Sequence, residues 1–223
     1  MTAFADFLLE HLPPPPARVL EVGCGHRGGV TPALVEAGYD AFAIDERAPE
    51  GERFRQITLQ QLEEPSRFDA VVAERVFHHV QPLGEALDKV ARLAPLLLLD
   101  EFAWERIDEP ARDWYERQYR TLTAAGREPP GPPDLAEWRG KWDDLHPSDV
   151  LRQELAARFE QRLYEDRPYL YRWLEGPATE SLERALIDAA AIQPIGFRWV
   201  GVRQPLGTGS TSSKRDPVGR AAE

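Results

Sequence analysis

Cysteine is almost absent: Cys24 stands alone among 223 residues. No internal disulfide framework can form, and a reducing cytoplasm is the expected setting. Long apolar runs are also missing. The longest, "LAPLLLLDEF", falls well short of the roughly 20 residues that cross a bilayer and suits a buried strand instead. The opening "MTAFADFLLEHLPPPP" has no basic segment and carries acids, which argues against a secretory signal. Positive charge is short as well. There are 27 bases against 38 acids, a net charge of −11. That balance disfavours wrapping a nucleic-acid backbone. Internal repeats are absent.

What is present is an alternation. Residues 2–12 place Phe4, Phe7, Leu8 and Leu12 at helical spacing, and four prolines then stop the helix. "ARVLEV" is short, apolar and β-branched, as a buried parallel strand should be. "VTPALVEAG" reads as a helix with Thr31 as cap, Pro32 in its first turn and Gly38 as its stop. Further strands are expected at "YDAFAID" (39–45), "FRQITL" (54–59), "FDAVVAE" (68–74) and "LLLLDEF" (96–102), with a helix over 82–94. Strands alternating with helices imply right-handed crossovers and an α/β fold with a parallel sheet.

After Phe102 the rhythm breaks. Residues 103–146 hold Trp104, Trp114, Trp138 and Trp142, four of the six tryptophans, with Tyr115 and Tyr119. They read as helices interrupted by "EPPGPP", an insert expected to cover the carboxyl edge of the sheet. The alternation resumes with a helix capped at Ser148, a strand over 158–164, helices over 168–175 and 178–191, and a final strand "IGFRWVGVR". Residues 1–206 therefore read as one domain. The tail from Gly207 has little to bury and is expected to be disordered.

"GCGHRG" satisfies G-x-G-x-x-G through Gly23, Gly25 and Gly28, with a strand before it, a helix after it and Asp45 twenty residues beyond Gly25. Glycines let a ligand approach the backbone, and a helix start offers free amides. An acid ending the second strand accepts hydrogen bonds from ribose hydroxyls. Glu21 divides the possibilities. A carboxylate beneath the turn suits a cationic ligand end and repels a pyrophosphate, or it merely caps amides of the glycine loop.

At these residues the chain resembles the class I S-adenosylmethionine-dependent methyltransferases, small-molecule type. "VLEVGCGHRGG" looks like their E/D-x-G-x-G turn. The likeness runs on through "YDAFAID", "RFDAVVAERVFHHV", "ARLAPLLLLDEF" and "ALIDAAAIQPIGFRWVGV". It implies a Rossmann-like sandwich with a seven-stranded, mostly parallel sheet of order 3-2-1-4-5-7-6 and a helical insert after strand five. It also implies S-adenosyl-L-methionine as cofactor. Glu21 would lie near the methionine ammonium, with Gly23, Cys24 and Gly25 as the floor. Asp45 would hold the ribose, with Glu46 and Arg47 near the adenine, Thr58 and Leu59 at its edge, and Glu74 at the methionine portion. Thr58 stands where the family commonly has aspartate, and two residues separate Gly25 from Gly28 where many members have one.

Methyl transfer from a sulfonium is an in-line displacement that asks mainly for alignment. A base is needed only where the acceptor must lose a proton. The candidates are His78, His79, His146 and Glu101; each has an ordinary structural reading beside the catalytic one. Asp100 or Glu101 could bind a polar acceptor or form a structural salt bridge. Trp104, Trp114 and Tyr115, with His146, either line an acceptor pocket or form the insert's own core. Asp143, Asp144 and His146 match no strong metal-ligand spacing, and no metal is expected. Three functions follow: methyl transfer to oxygen or nitrogen of a small organic acceptor, non-catalytic cofactor binding, and NAD-dependent oxidoreduction. Glu21 argues against the last. An aromatic-proline motif of the N-P-P-Y type is missing after strand four, where "AERVFHHV" stands. That disfavours nucleic acid as the acceptor.

Overall fold

The computed structural model describes residues 3–63, 67–141 and 144–204. Trp142, Asp143 and the tail expected from Gly207 lie outside these residues. The elements are α1 (Ala3–His11), β1 (Arg18–Val22), α2 (Thr31–Glu36), β2 (Asp40–Ile44), β3 (Phe54–Arg55), β4 (Ala70–Glu74), α3 (Leu83–Leu93) and β5 (Leu96–Phe102). The insert supplies α4 (Glu109–Ala124) and α5 (Leu135–Arg139). Then follow α6 (Ser148–Ala156), β6 (Phe159–Arg167), α7 (Pro177–Asp188) and β7 (Gly196–Arg203).

The seven strands form one sheet in the order β3-β2-β1-β4-β5-β7-β6. β1 to β5 run parallel, and β7 lies antiparallel between β5 and β6. Alternation along each strand sorts side chains onto two faces. Leu20, Val22, Val71, Leu97 and Leu99 pack with Leu83, Leu87 and Val90 of α3 and Leu151 and Leu155 of α6. Val19, Val72 and Leu98 pack on the other face with Phe4 and Leu8 of α1 and Leu34 of α2. Glu21 shares the face of Val19 and so points toward α2. All parallel strands end at one edge, which is where open α/β sheets bind ligands.

Several local expectations are corrected. β3 spans two residues, not six. Beyond it Thr58 N–H donates to Gln61 Oε1 (2.9 Å) and Gln61 N–H to Thr58 Oγ1 (3.2 Å), and this reciprocal turn bends the chain away from the sheet. Thr31 does not cap α2. The helix enters from Val30 without a side-chain cap, and the Thr31 hydroxyl donates to Glu21 instead. Ser148 does not cap α6 either, because its hydroxyl is turned to Glu105. The helix expected over 168–175 is a short 3₁₀ turn, Leu170–Trp173. There Glu183 of α7 accepts from the amides of Tyr169, Leu170 and Tyr171 at 2.8, 3.0 and 2.7 Å, so a side chain, not a helical ladder, takes those donors.

The insert shares a third core with the end of β5 and the segments around residues 169–174 and 192–195. Phe102, Tyr115, Tyr169, Leu170 and Ile195 are buried together, with Trp138 and Trp173 packed against them. Among the described residues, no helix is long and apolar enough to cross a membrane.

Candidate active site

β1 ends beside a turn whose geometry is set by a buried carboxylate. Glu21 is 2% exposed. Its Oε2 accepts from Thr31 N–H (2.8 Å), the Thr31 hydroxyl (2.7 Å) and Val30 N–H (3.0 Å), and its Oε1 also accepts from Val30 N–H. Burial pushes its pKa up to about 7 against the pull of these donors, and the negative charge of Glu74 adds to the rise. Gly29 makes this fit possible. Its φ is +56°, and a Cβ built there would stand 1.9 Å from Glu21 Oε1. The sequence pattern pointed to Gly28; the "GG" pair was the available signal for Gly29.

The turn itself is held from the next strand. Asp45, following β2, accepts from Gly25 N–H through Oδ2 (3.0 Å) and from Arg47 N–H through Oδ1 (2.7 Å). Above Gly25 there is room: a Cβ there, at φ +58°, would meet no atom within 4 Å. Cys24 is buried, and burial, then the charges of Glu21 and Asp45, push its thiol up to about 12. It stays a thiol and is chemically quiet. Glu46 and Arg47 are exposed at the rim. Leu59 is buried in the main core, and the Thr58 hydroxyl is engaged with Gln61.

Glu74 ends β4, and the chain then turns sharply. Arg75 holds φ +58°, a conformation costing a non-glycine residue about 1–2 kcal/mol. Val76 is thereby laid over Gly23, where an added Cβ would lie 2.2 Å from Val76 Cγ2. The following loop is fixed by Glu101, which has no exposed surface. Glu101 accepts from Val76 N–H (3.0 Å), Phe77 N–H (2.6 Å) and His78 Nδ1 (2.7 Å). Its carboxyl is held below the usual range despite burial, chiefly by the charge and hydrogen bond of His78. Glu101 is thus shut away from any acceptor. His79 is exposed beside it, with ring centroids 4.2 Å from His78. Partial desolvation, then the His78 charge, push its pKa down to about 4.

His146 docks on the same loop: its N–H donates to His78 O (2.9 Å) and its Nε2 lies 2.9 Å from Val80 O. Trp104 Nε1 donates to His146 O (3.2 Å). The structure therefore gathers His78, His79, His146 and Trp104 at the carboxyl edge. It does not place Tyr115 there. That residue is core, with its hydroxyl donating to Pro132 O (2.7 Å). Trp114 faces the outer flank of α4, where it lines a cavity of about 560 Å³ with Pro110, Leu186 and Ile192. Among the described residues, no group of three or more His, Cys, Asp or Glu is placed to hold a metal.

A carboxylate under a glycine turn, a second acid after the next strand and room above Gly25 are the arrangement that the sequence resemblance implies. Residues 1–147 match the family model described as a methyltransferase domain. The chain belongs to this methyltransferase family. Solved structures agree on the fold of this methyltransferase. An S-adenosylmethionine-dependent methyltransferase from Mesorhizobium loti aligns with TM-score 0.58 at 17% identity, over 89% of this chain and 96% of that one. A geranyl diphosphate C-methyltransferase from Streptomyces coelicolor, crystallised with S-adenosyl-L-homocysteine, aligns at 0.55 and 16%, over 91% and 79%. Magnesium protoporphyrin IX methyltransferase from Synechocystis, with bound SAH, aligns at 0.53 and 17%, over 91% and 80%. Among curated proteins none matches the methyltransferase.

Sequence reasoning missed three residues that the structure brings to this candidate site. These are Gly29, Val76 over the turn, and Arg172, which reaches Glu74 and Asp100 from 98 and 72 residues away. A long-range ion pair leaves no local pattern to read.

Proposed function

We propose that the methyltransferase uses S-adenosyl-L-methionine and methylates an oxygen or nitrogen of a small organic acceptor. The carrying observation is the set of strand-tip carboxylates, Glu21, Asp45 and Glu74, around the open turn at Gly25. That donor set fits a ligand with a cationic end and ribose hydroxyls, and it fits a pyrophosphate poorly, because Glu21 would repel it. When bound, the cofactor supplies a methyl group already attached to a good leaving group. The residues then have three tasks. Asp45 orients the ribose while bracing Gly25. Glu21 and Glu74 offset positive charge beneath and beside the turn. Glu101 acts as a positioning residue, holding the loop of Val76, Phe77 and His78 against the site.

The pKa of His79 is pushed down by partial desolvation and the His78 charge, so the proposed mechanism relies on alignment and exclusion of water more than on a general base. The aromatic side chains gathered near the end of β5, Trp104, Trp138 and Trp173 among them, support an organic acceptor. The relatives named above act on geranyl diphosphate and on a porphyrin. They make carbon and larger ring substrates the natural extensions of an acceptor panel.

Calorimetric titration with S-adenosylmethionine, S-adenosylhomocysteine and NAD tests the donor. Binding of the first two, without NAD, is expected. NAD binding alone would overturn the reading in favour of hydride transfer. Release of S-adenosylhomocysteine in the presence of acceptors then separates a catalyst from a binding protein.

A further inference from the structure

Glu74 and Asp100 sit side by side, paired in register at the tips of β4 and β5. One guanidinium joins them. Arg172, from the 3₁₀ turn Leu170–Trp173, donates from Nη1 to Glu74 and from Nη2 to both Asp100 oxygens, at 2.9 and 3.0 Å. Asp100 has a second cation, since Arg198 Nε donates to it at 3.0 Å. Besides Arg172, Glu74 has Arg75 at 3.7 Å. The Nε of Arg172 is buried and has no hydrogen-bond acceptor. A buried donor left unmade is costly, so an acceptor atom reaching this nitrogen would gain a hydrogen bond.

The placement of Arg172 is enforced from outside the site. Glu183 takes three amides around the turn that carries it. The Tyr169 ring stacks on Phe102 with centroids 4.2 Å apart. These contacts hold the backbone that carries Arg172 and so deliver its guanidinium to the tips of β4 and β5. Its side chain is 15% exposed, against 41% for Arg75 and 78% for Arg47.

The charge pattern specifies the ligand. A purely anionic group would meet Glu74 and Asp100, and a purely cationic one would meet Arg172. An α-amino acid end, with ammonium and carboxylate on one carbon, matches both halves of the Arg172–Glu74 pair. We propose that Arg172 receives the α-carboxylate of the donor's methionine end, inserted between Arg172 and Glu74, while Glu74 takes the ammonium. In the free protein the Arg172–Glu74 pair occupies that position. This inference rests on the donor assignment made above.

The test compares two ligands that differ by one group, S-adenosylmethionine and its decarboxylated form. Both are titrated into the wild-type protein, Arg172→Gln and Arg172→Lys, with melting curves to check folding. The wild type should prefer S-adenosylmethionine about 10–100-fold, the range expected of a charge-assisted fork. Arg172→Gln should abolish that preference, weakening S-adenosylmethionine while leaving the decarboxylated ligand as tight or tighter. Arg172→Lys, which keeps the charge without the fork, should retain part of the preference. Equal weakening of both ligands, or a wild type that does not distinguish them, would overturn the assignment to Arg172 while leaving the donor reading intact. A wild type that binds neither would overturn the donor reading, and this inference with it.

Discussion

Gly29→Ala should destabilise the free protein by roughly 3–5 kcal/mol and lower its melting temperature by about 10 °C. Two effects add. Alanine at φ +56° carries the cost of a left-handed backbone, and its Cβ would stand 1.9 Å from Glu21 Oε1. The carboxylate must then leave the amides of Val30 and Thr31, which become buried donors without acceptors. Thermal unfolding measures the loss directly. Gly25→Ala is the matched control. Its φ is +58°, yet its Cβ enters open space, so the cost should be only about 1–2 kcal/mol. That same Cβ intrudes where the donor is proposed to lie, so Gly25→Ala should weaken donor binding far more than it weakens the fold. A stable Gly29→Ala protein would show that Glu21 is not held as described.

Glu21→Gln should cost donor affinity in a pH-dependent way. The wild-type carboxyl has its pKa pushed up to about 7. Below that value it is already neutral, so the substitution should change little at pH 6. At pH 8 the wild type carries the charge that offsets the donor's cationic end, and Glu21→Gln should bind about 10–100-fold more weakly. Wild-type affinity should rise from pH 6 to 8, and the variant's should stay flat. The stability of the free protein runs the other way. A carboxyl whose folded pKa lies above its unfolded value, 4.5, favours folding fully below that value and loses the benefit as pH rises through 7. Glu21 should therefore contribute a loss of about 3 kcal/mol across this window, against the opposite contribution of His79, whose lowered pKa favours folding as pH rises, and the difference between wild type and Glu21→Gln should isolate the Glu21 part. Denaturant titrations at several pH values read it out.

Much of this architecture was legible in the sequence. Short β-branched runs alternating with helices led to the parallel sheet, and the full strand order came from the resemblance to the methyltransferases. The elements misread have specific causes. Thr31 and Ser148 carry the chemistry of caps, but Glu21 and Glu105 compete for their hydroxyls from elsewhere in the chain. "FRQITL" has strand composition, but it lies at the sheet edge, and the Thr58–Gln61 turn breaks it early. Residues 168–175 have helical composition, but Glu183 supplies acceptors that an α-helix would otherwise provide from its own backbone.

The candidate site divides along the same line. Glu21, Gly23, Gly25, Asp45 and Glu74 could be singled out because local motifs place them at a strand end or in the turn just beyond it. Of the two readings of Glu21, the bracing of the amides of Val30 and Thr31 is what the structure shows, and its charge toward a cationic ligand end is the proposed one. Glu101 looked like a substrate contact from its place at the end of strand five. The fold shows that it points inward, to His78 and the backbone of the preceding loop. Arg172 could not be found, because its partners lie on strands far away in sequence. The tryptophans were ambiguous because a small helical insert needs large side chains for its own core, whatever else they do.

The most direct test of the whole account is a crystal structure of the protein with S-adenosylhomocysteine. The ribose should rest on Asp45 above Gly25, with the amino-acid end beside Gly23 and Glu74. Density for the ligand away from the glycine turn, or an empty turn at saturating ligand, would contradict it.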